Sequence, residues 1–305
     1  MSGLRIGVVV PAYNAGLWIH RCLRSLIDQS FGQWWAVVVD DGSADTTGDE
    51  VSQFADPRIR LIRQKNAGVS AARNRGIDML PGSDAVLFLD ADDWLAPEAL
   101  QRLADALHRS PHAVAATGPA AFVTPDGSVQ SIKPGQHGDI LERLLVRNLF
   151  INGGHLLIRR DAVSRAGRFI ETLRFGEDWE YWVRIALLGP FVHADGAAPV
   201  LLVRRLESGA YWRMARDPAS FRPCVDAVFG QPAVLARLGE RRAAALRARA
   251  EAEAAWAVGR ALLADAAFGE GRVFLRRSVR RYPSFKRLAL LAAAYCPAAW
   301  RAIAA

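Results

Sequence analysis

The sequence predicts an α/β chain, a mostly parallel sheet flanked by helices with a helical extension behind it, on three observations. Through residue 112, short β-branched runs alternate with stretches whose apolar residues recur every three or four positions. Tight polar clusters, Tyr13-Asn14, Asp40-Asp41 and residues 90–93 (DADD), follow three of those runs. From about residue 233 the chain turns rich in Ala, Arg and Leu, with no repeat of fixed period. Alternating strand and helix argues for a parallel sheet covered on both faces. Such sheets bind ligands beyond the carboxyl ends of their strands, so three polar loops converge on one crevice.

Taken in order, residues 5–10 (RIGVVV) read as a buried strand ended by Pro11. Residues 17–27 form a helix, with Trp18, Cys22 and Leu26 and beside them Ile19, Leu23 and Ile27 on its apolar face. Strands are expected over 35–39 and 59–62, then a turn at Asn66-Ala67-Gly68 and a helix over 69–79. A strand over 85–89 runs into the DADD cluster, and Pro97 opens a helix over 98–108. Residues 113–132 read as short strands around a Pro125-Asp126-Gly127 hairpin turn. A helix over 139–148, a strand over 155–158, a helix over 179–188 and strands over 191–194 and 200–204 follow. The helical tail is broken at Gly269-Glu270-Gly271, Pro283 and Pro297.

Composition removes several classes of function. Of 305 residues, 51% are hydrophobic and 23% charged, with 25 Gly and 15 Pro, which excludes a disordered or collagen-like chain. Cys22, Cys224 and Cys296 lie far apart without Cys-x-x-Cys spacing, against a disulfide scaffold or a thiolate zinc site. None of the six histidines stands in a metal-spaced pair, and His155 and His193 read as structural. The first residues lack the basic head and long apolar segment of a secretory leader. No run reaches the roughly 18 uncharged apolar residues of a membrane span. The expected location is cytoplasmic. The net charge of +8 is unevenly placed: residues 1–234 hold 25 Lys/Arg against 26 Asp/Glu, and residues 235–305 hold 14 against 5. That break separates a domain over 1–215 from a basic Ala/Arg-rich extension over 216–305.

Three constellations carry chemistry. Asp90-x-Asp92 at a strand end can aim two hard oxygen ligands at one Mg²⁺ or Mn²⁺, which would neutralise a diphosphate leaving group; it is also what an acidic loop before a helix looks like. Asp40-Asp41-Gly42-Ser43 can accept a hydrogen bond from a pyrimidine N–H, with Gly42 letting backbone approach closely; it equally suits a turn that caps the next helix. Glu177-Asp178 before a helix offers a general base for an acceptor hydroxyl, or a helix cap.

The order of these motifs adds a resemblance. Residues 8–14 (VVVPAYN), 37–47 (VVVDDGSADTT), 66–76 (NAGVSAARNRG), 88–95 (FLDADDWL) and 176–184 (GEDWEYWVR) are similar, in sequence order, to the family 2 glycosyltransferases. The resemblance spans about 1–205. It implies the GT-A fold, whose sheet is Rossmann-like, with the nucleotide bound by residues 1–112 and the acceptor by 113–215. Pro11, Ala12, Tyr13 and Asn14 would line the nucleotide pocket. Asp41, with Asp40 beside it, would meet the uracil, and Arg73 would lie near the nucleotide or its phosphates. Asp90 would touch the ribose, Asp92 would bind the metal with Asp90, and Asp178 would be the base of an inverting single displacement with Glu177 beside it. Trp179 and Asp93 are taken as acceptor contacts. Trp182, Tyr211 and Trp212 complete the aromatic set for a sugar platform, Trp182 at core spacing. One departure is Leu206, where many relatives carry a histidine in an Arg-x-His-x-x-Ser stretch, leaving the third metal contact open and Arg204 or Arg205 as diphosphate partners.

These features point to transfer of a sugar from a nucleoside-diphosphate sugar, UDP favoured, to a glycan or polyprenyl-linked acceptor with Mn or Mg, in bacterial surface polysaccharide assembly. A sugar-nucleotide-binding pseudoenzyme or scaffold is the alternative. A sugar nucleotidyltransferase would need a Gly-rich basic loop after the first strand, which residues 11–16 (PAYNAG) do not provide. In the tail, Arg272, Arg276, Arg277, Arg280, Arg281, Lys286 and Arg287 stand among Phe268, Val273, Phe274, Leu275, Val279 and Phe285. That suits either an anionic membrane surface or a solvated helical hairpin. Nucleic acid is excluded, since the basic residues do not alternate with aromatics and the crevice is acidic.

Overall fold

Strand β1 (Ile6–Ala12) is the axis of a seven-stranded sheet among the residues described by the computed structural model, which are 3–124, 127–204 and 219–296. β1 pairs in parallel with β2 (Trp34–Asp40) on one side and β4 (Ala85–Phe88) on the other, and β2 pairs in parallel with β3 (Ile59–Arg63). The sheet continues from β4 through β9 (Leu156–Arg159) and β6 (Ala115–Thr117) to β10 (Phe191–His193). β9 runs antiparallel to both of its neighbours, and β10 is parallel to β6. The chain order β3-β2-β1-β4 reverses direction between β1 and β4, which makes that gap the switch point of the sheet.

Pro11 does not end β1 as the sequence suggests. The β1–β2 ladder continues through Ala12 opposite Asp40, whereas the β1–β4 pairing stops at Val9 opposite Phe88. The Ala12 carbonyl accepts from the Asp41 N–H on the β2 side, so Pro11 turns its missing N–H toward the side where the β4 ladder has already finished. The strands part there.

Helices cover the sheet. α1 (Ile19–Ile27) buries Ile19, Cys22, Leu23 and Leu26, and α3 (Val69–Asp78) lies on β1 so closely that a Cβ at Gly76 would stand 2.3 Å from Val9 Cγ1. α2 (Thr47–Ser52) and α6 (Arg160–Ala166) are short connections, and α4 (Ala99–Arg109) begins behind Glu98, whose left-handed φ of 61° sets the turn after Pro97. A second, four-stranded sheet joins β5 (Trp94–Leu95), β11 (Leu201–Arg204), β7 (Ala120–Val123) and β8 (Val129–Lys133) in that order. The antiparallel β7–β8 pair is the expected hairpin, though Pro125 and Asp126 of its turn lie outside the described residues.

The chain divides into two compact units: residues 1–140, 149–172 and 184–205, and residues 141–148, 173–183 and 206–305. The first unit holds both sheets and one continuous apolar core that runs from Ile6 through Leu103 to Val203. The second contains α5 (Leu141–Val146), the start of α7 (Glu177–Leu188), α8 (Phe221–Phe229), α9 (Pro232–Leu238), α10 (Glu240–Ala264), α11 (Phe268–Arg281) and α12 (Phe285–Ala293). Its smaller core gathers Leu263, Leu275, Leu290 and Ala294, with Trp256, Phe268 and Leu291 against them. Gly269-Glu270-Gly271 does not break the helix: α11 runs through it, and the interruption falls earlier, at Ala266 with φ 60°. Gly271 serves close packing instead, since a Cβ there would meet the Gly259 carbonyl of α10 at 3.1 Å.

Candidate active site

The carboxyl ends of β1, β2 and β4 reach one edge of the first unit because the three strands are parallel and adjacent. At the end of β2 the two aspartates do different things. Asp41 is buried, and its carboxylate accepts from the Gln64 side-chain amide at 2.7 Å, the Ala67 N–H at 2.9 Å and the Gly68 N–H at 2.8 Å. A carboxylate has about four acceptor sites, so three are occupied by the loop before α3. Asp40 is fully buried, accepts from the Ser43 N–H at 2.8 Å and faces the Arg63 guanidinium at 3.3 Å. At the end of β1, Pro11 is half-buried and Ala12 buried in the strand, while Tyr13 and Asn14 are exposed. Asn14 takes φ 49°; its N–H donates to Ser43 Oγ at 3.0 Å and its side-chain oxygen accepts from the Ala44 N–H at 2.9 Å. Asp45 completes this loop, accepting from the Gly16 N–H at 2.9 Å and from Thr47. Burial pushes its carboxyl up, but the bonds from Thr47 and Gly16 outweigh that and hold it below the usual range.

The end of β4 is crowded with negative charge. Asp90 accepts from the buried Arg73 guanidinium at 3.0 Å, and Arg73 lies 5.4 Å from the Phe169 ring. Burial, with the neighbouring Asp90 charge, raises the Asp92 carboxyl to about 6. Asp93, only 3% exposed, is pushed well above the usual range by burial and by Asp92 and Asp90, although its carboxylate accepts from the Arg204 N–H at 2.9 Å and from the Asn152 amide. Arg204 in turn lies 4.0 Å from the Trp18 ring and 5.5 Å from the Trp94 ring, whose centre is 3.5 Å from Arg21. This stack of two guanidiniums and two indoles brings a positive charge near Asp92, which eases its carboxyl downward against the burial. Its sign in the sequence is faint: Trp18 and Arg21 stand one helical turn apart, and nothing links them to Trp94 or Arg204.

Among the described residues no three His, Cys, Asp or Glu side chains gather to hold a metal. The donor set at the end of β4 still fits a divalent cation of the Mg²⁺ or Mn²⁺ kind, which takes one or two protein carboxylates and completes its shell with water and substrate phosphate. The rise at Asp92, from burial first and the Asp90 charge second, is one that a bound cation would relieve. His155 is no ligand: it is buried, its Nδ1 faces the Gly118 carbonyl at 2.9 Å, and burial lowers it to about 4.

In the second unit, Glu177 and Asp178 fall in the first turn of α7, which begins two residues earlier than the sequence suggests. Asp178 accepts from the Asn148 side-chain amide at 3.1 Å and from the Trp179 N–H at 2.6 Å. Trp179 is buried, 7% exposed, with its indole N–H donating to the Leu144 carbonyl at 2.7 Å. Its ring and the Asp93 carboxylate, both read as acceptor contacts, are thus held inside the protein by other groups. Trp182 is core, fully buried. Arg205, Leu206, Tyr211 and Trp212 lie outside the described residues. Asn148, the partner of Asp178, was missed in the sequence because no motif includes it.

The model of the family described as Glycosyl transferase family 2 matches residues 7–167, more than half of the chain. The chain belongs to that family. A curated relative, the amylovoran biosynthesis glycosyltransferase AmsB of Erwinia amylovora, is 32% identical over 205 residues, covering 62% of this chain and 66% of AmsB. Shorter matches at 35% to 42% identity reach three further curated glycosyltransferases, and there the chain spans only 14% to 29% of the relative's length. Among solved structures, Staphylococcus aureus TarS in complex with UDP-GlcNAc aligns with a TM-score of 0.58 at 17% identity, over 92% of this chain and 90% of that one. The mannosyltransferase PcManGT of Pyrobaculum calidifontis, in complex with GDP-Man and Mn²⁺, aligns with a TM-score of 0.59 at 19% identity, over 95% of this chain and 79% of that one. At such identities the likeness gives the fold, which is GT-A.

Proposed function

We propose that this family 2 glycosyltransferase is an inverting enzyme that moves a hexosyl or N-acetylhexosaminyl group from a UDP-sugar to a hydroxyl of a glycan or polyprenyl-linked acceptor, in assembly of a surface polysaccharide. The observation that carries the reading is the crowded Asp90 and Asp92 pair beside the buried Arg73, at the strand edge where α/β sheets bind ligands. The UDP-GlcNAc complex of TarS and the biosynthetic role in AmsB's name support donor class and pathway.

The nucleotide would lie along residues 11–14 and Asp41, with Arg73 and Asp90 toward its ribose and phosphates. A divalent cation held by Asp90 and Asp92 would neutralise the charge that gathers on the diphosphate as it leaves. Asp178 would take the proton of the acceptor hydroxyl as that oxygen bonds the anomeric carbon; the bond from that carbon to the phosphate oxygen breaks and its electron pair leaves with UDP. Asn148 and the Trp179 N–H fix the Asp178 carboxylate for that step. No covalent sugar intermediate is needed, so one base suffices.

Calorimetric titration of UDP with Mn²⁺, then with chelator, tests the reading. Binding that needs the metal is the expected result. Absence of binding by UDP, GDP and dTDP in both conditions would remove the nucleotide-sugar function while leaving the fold untouched.

A further inference from the structure

Helices α11 and α12 leave outward faces of opposite character. α12 buries Arg287, Leu290 and Ala293 and exposes Phe285, Leu288, Ala289 and Ala292, the spacing of a single helix face, with Lys286 exposed at its side. That face is wholly apolar, with Phe285 88% and Leu288 51% exposed. Tyr295 continues the stripe one turn on, and a soluble surface rarely spends its large apolar groups this way. α11 exposes Val273, Arg276, Arg277 and Arg280 at the same spacing, with one acid, Glu270, at the start of that face. The two stripes meet where the Arg276 guanidinium donates to the Tyr295 hydroxyl and Arg272 lies 4.9 Å from the Tyr295 ring.

Charge decides what covers this face. Residues 268–293 hold seven Lys/Arg and one acidic residue, Glu270. Arg281 pairs with Glu251, and Arg287 with Glu253. Among the described residues, Arg276, Arg277, Arg280 and Lys286 form no ion pair, so their charge is available to a partner. A second copy would set this cationic stripe against its own like. An anionic lipid surface offers both what the arginines lack and an apolar layer for Phe285 and Leu288.

We propose that α11 and α12 form a docking face for an anionic phospholipid bilayer, with Phe285 and Leu288 entering the interface and Arg276, Arg277, Arg280 and Lys286 at the headgroups. The insertion is shallow, since no described helix is long and apolar enough to cross a membrane. The inference does not depend on the nucleotide reading, and its test uses no nucleotide.

The test is co-sedimentation of the full chain with phosphatidylcholine vesicles, with and without phosphatidylglycerol, for the unaltered protein and two surface variants, Arg277→Glu/Arg280→Glu and Phe285→Ser/Leu288→Ser. All four positions are exposed, and an unchanged melting temperature checks that the variants fold. Each basic residue near such a surface is worth about fivefold in partitioning, so the charge variant is expected to lose at least about thirtyfold. The apolar variant is expected to lose about tenfold or more. The proposal is overturned if the unaltered chain ignores the anionic vesicles or binds neutral ones equally, or if both variants bind as the unaltered chain does. It is also overturned if the apolar variant converts a dimer to a monomer in sedimentation without changing vesicle binding, for then the occupant is a second copy.

Discussion

The carboxylates at the end of β4 and those at the start of α7 sit in different surroundings. Around Asp92 the neighbours are other acids, and burial raises its carboxyl to about 6 even with Arg204 nearby. The Asp178 carboxylate accepts from two neutral amides, the Asn148 side chain and the Trp179 backbone, in the first turn of a helix, the positive end of its dipole. The first arrangement is a carboxyl that burial, and then the Asp90 charge, disfavours in its ionised form, a cost that an added cation would offset. The second fixes the direction of the carboxylate. Under the proposed function the same residue type serves as metal ligand in one place and as proton acceptor in the other, and only the surroundings separate the two.

The contrast can be broken most sharply at Asp178. Asp178→Asn keeps the shape and removes the proton acceptor, so transfer should fall by about 10²- to 10⁴-fold while UDP affinity stays within about twofold. Retained turnover in a transfer assay would end the assignment. At Asp92 the expected effects have opposite signs. Asp92→Asn should lose metal-dependent UDP binding yet gain stability at neutral pH. The folded carboxyl titrates at about 6 against an ordinary 3.8, so between those values the unfolded chain gives up its proton first and native stability falls as pH rises. With chelator present, the variant should be more stable than the unaltered chain by roughly 1–3 kcal/mol at pH 7 and no more stable near pH 4, read by thermal unfolding. A gain of equal size at both pH values would show that the raised Asp92 carboxyl is not its source. The smallest effect sharpens the second arrangement: Asn148→Ala leaves Asp178 in place but less well aimed, so kcat should drop about tenfold with donor KM unchanged. A change in KM alone would make Asn148 a binding residue instead.

The strand edge was legible because a parallel sheet puts every strand's carboxyl end on one side, and the motifs after residues 10, 39 and 89 needed only that rule. What could not be read were pairings between distant segments. Nothing local marks Leu156–Arg159 as a strand set antiparallel between β4 and β6, or Trp94–Leu95 as a strand at all, since two residues carry no periodicity. Gly269 and Gly271 read as a break because glycine disfavours helices. The approach of α10 to α11 at Gly271 reverses that local preference. At the site, the residue types were visible and their partners were not. Asp41 looked open to a ligand until Gln64, Ala67 and Gly68 were found on it, and Asn148 carried no motif.

The Asp41 arrangement has a consequence for motion. Ala67 is exposed and belongs to a segment without helix or strand, yet its amide proton and that of Gly68 are both committed to a buried carboxylate. To exchange with solvent, those protons must leave a carboxylate only 3% exposed at the end of β2. This loop should therefore exchange on the timescale of the central strands, and a nucleotide arriving at the edge would find the wall already standing, with little ordering left to do.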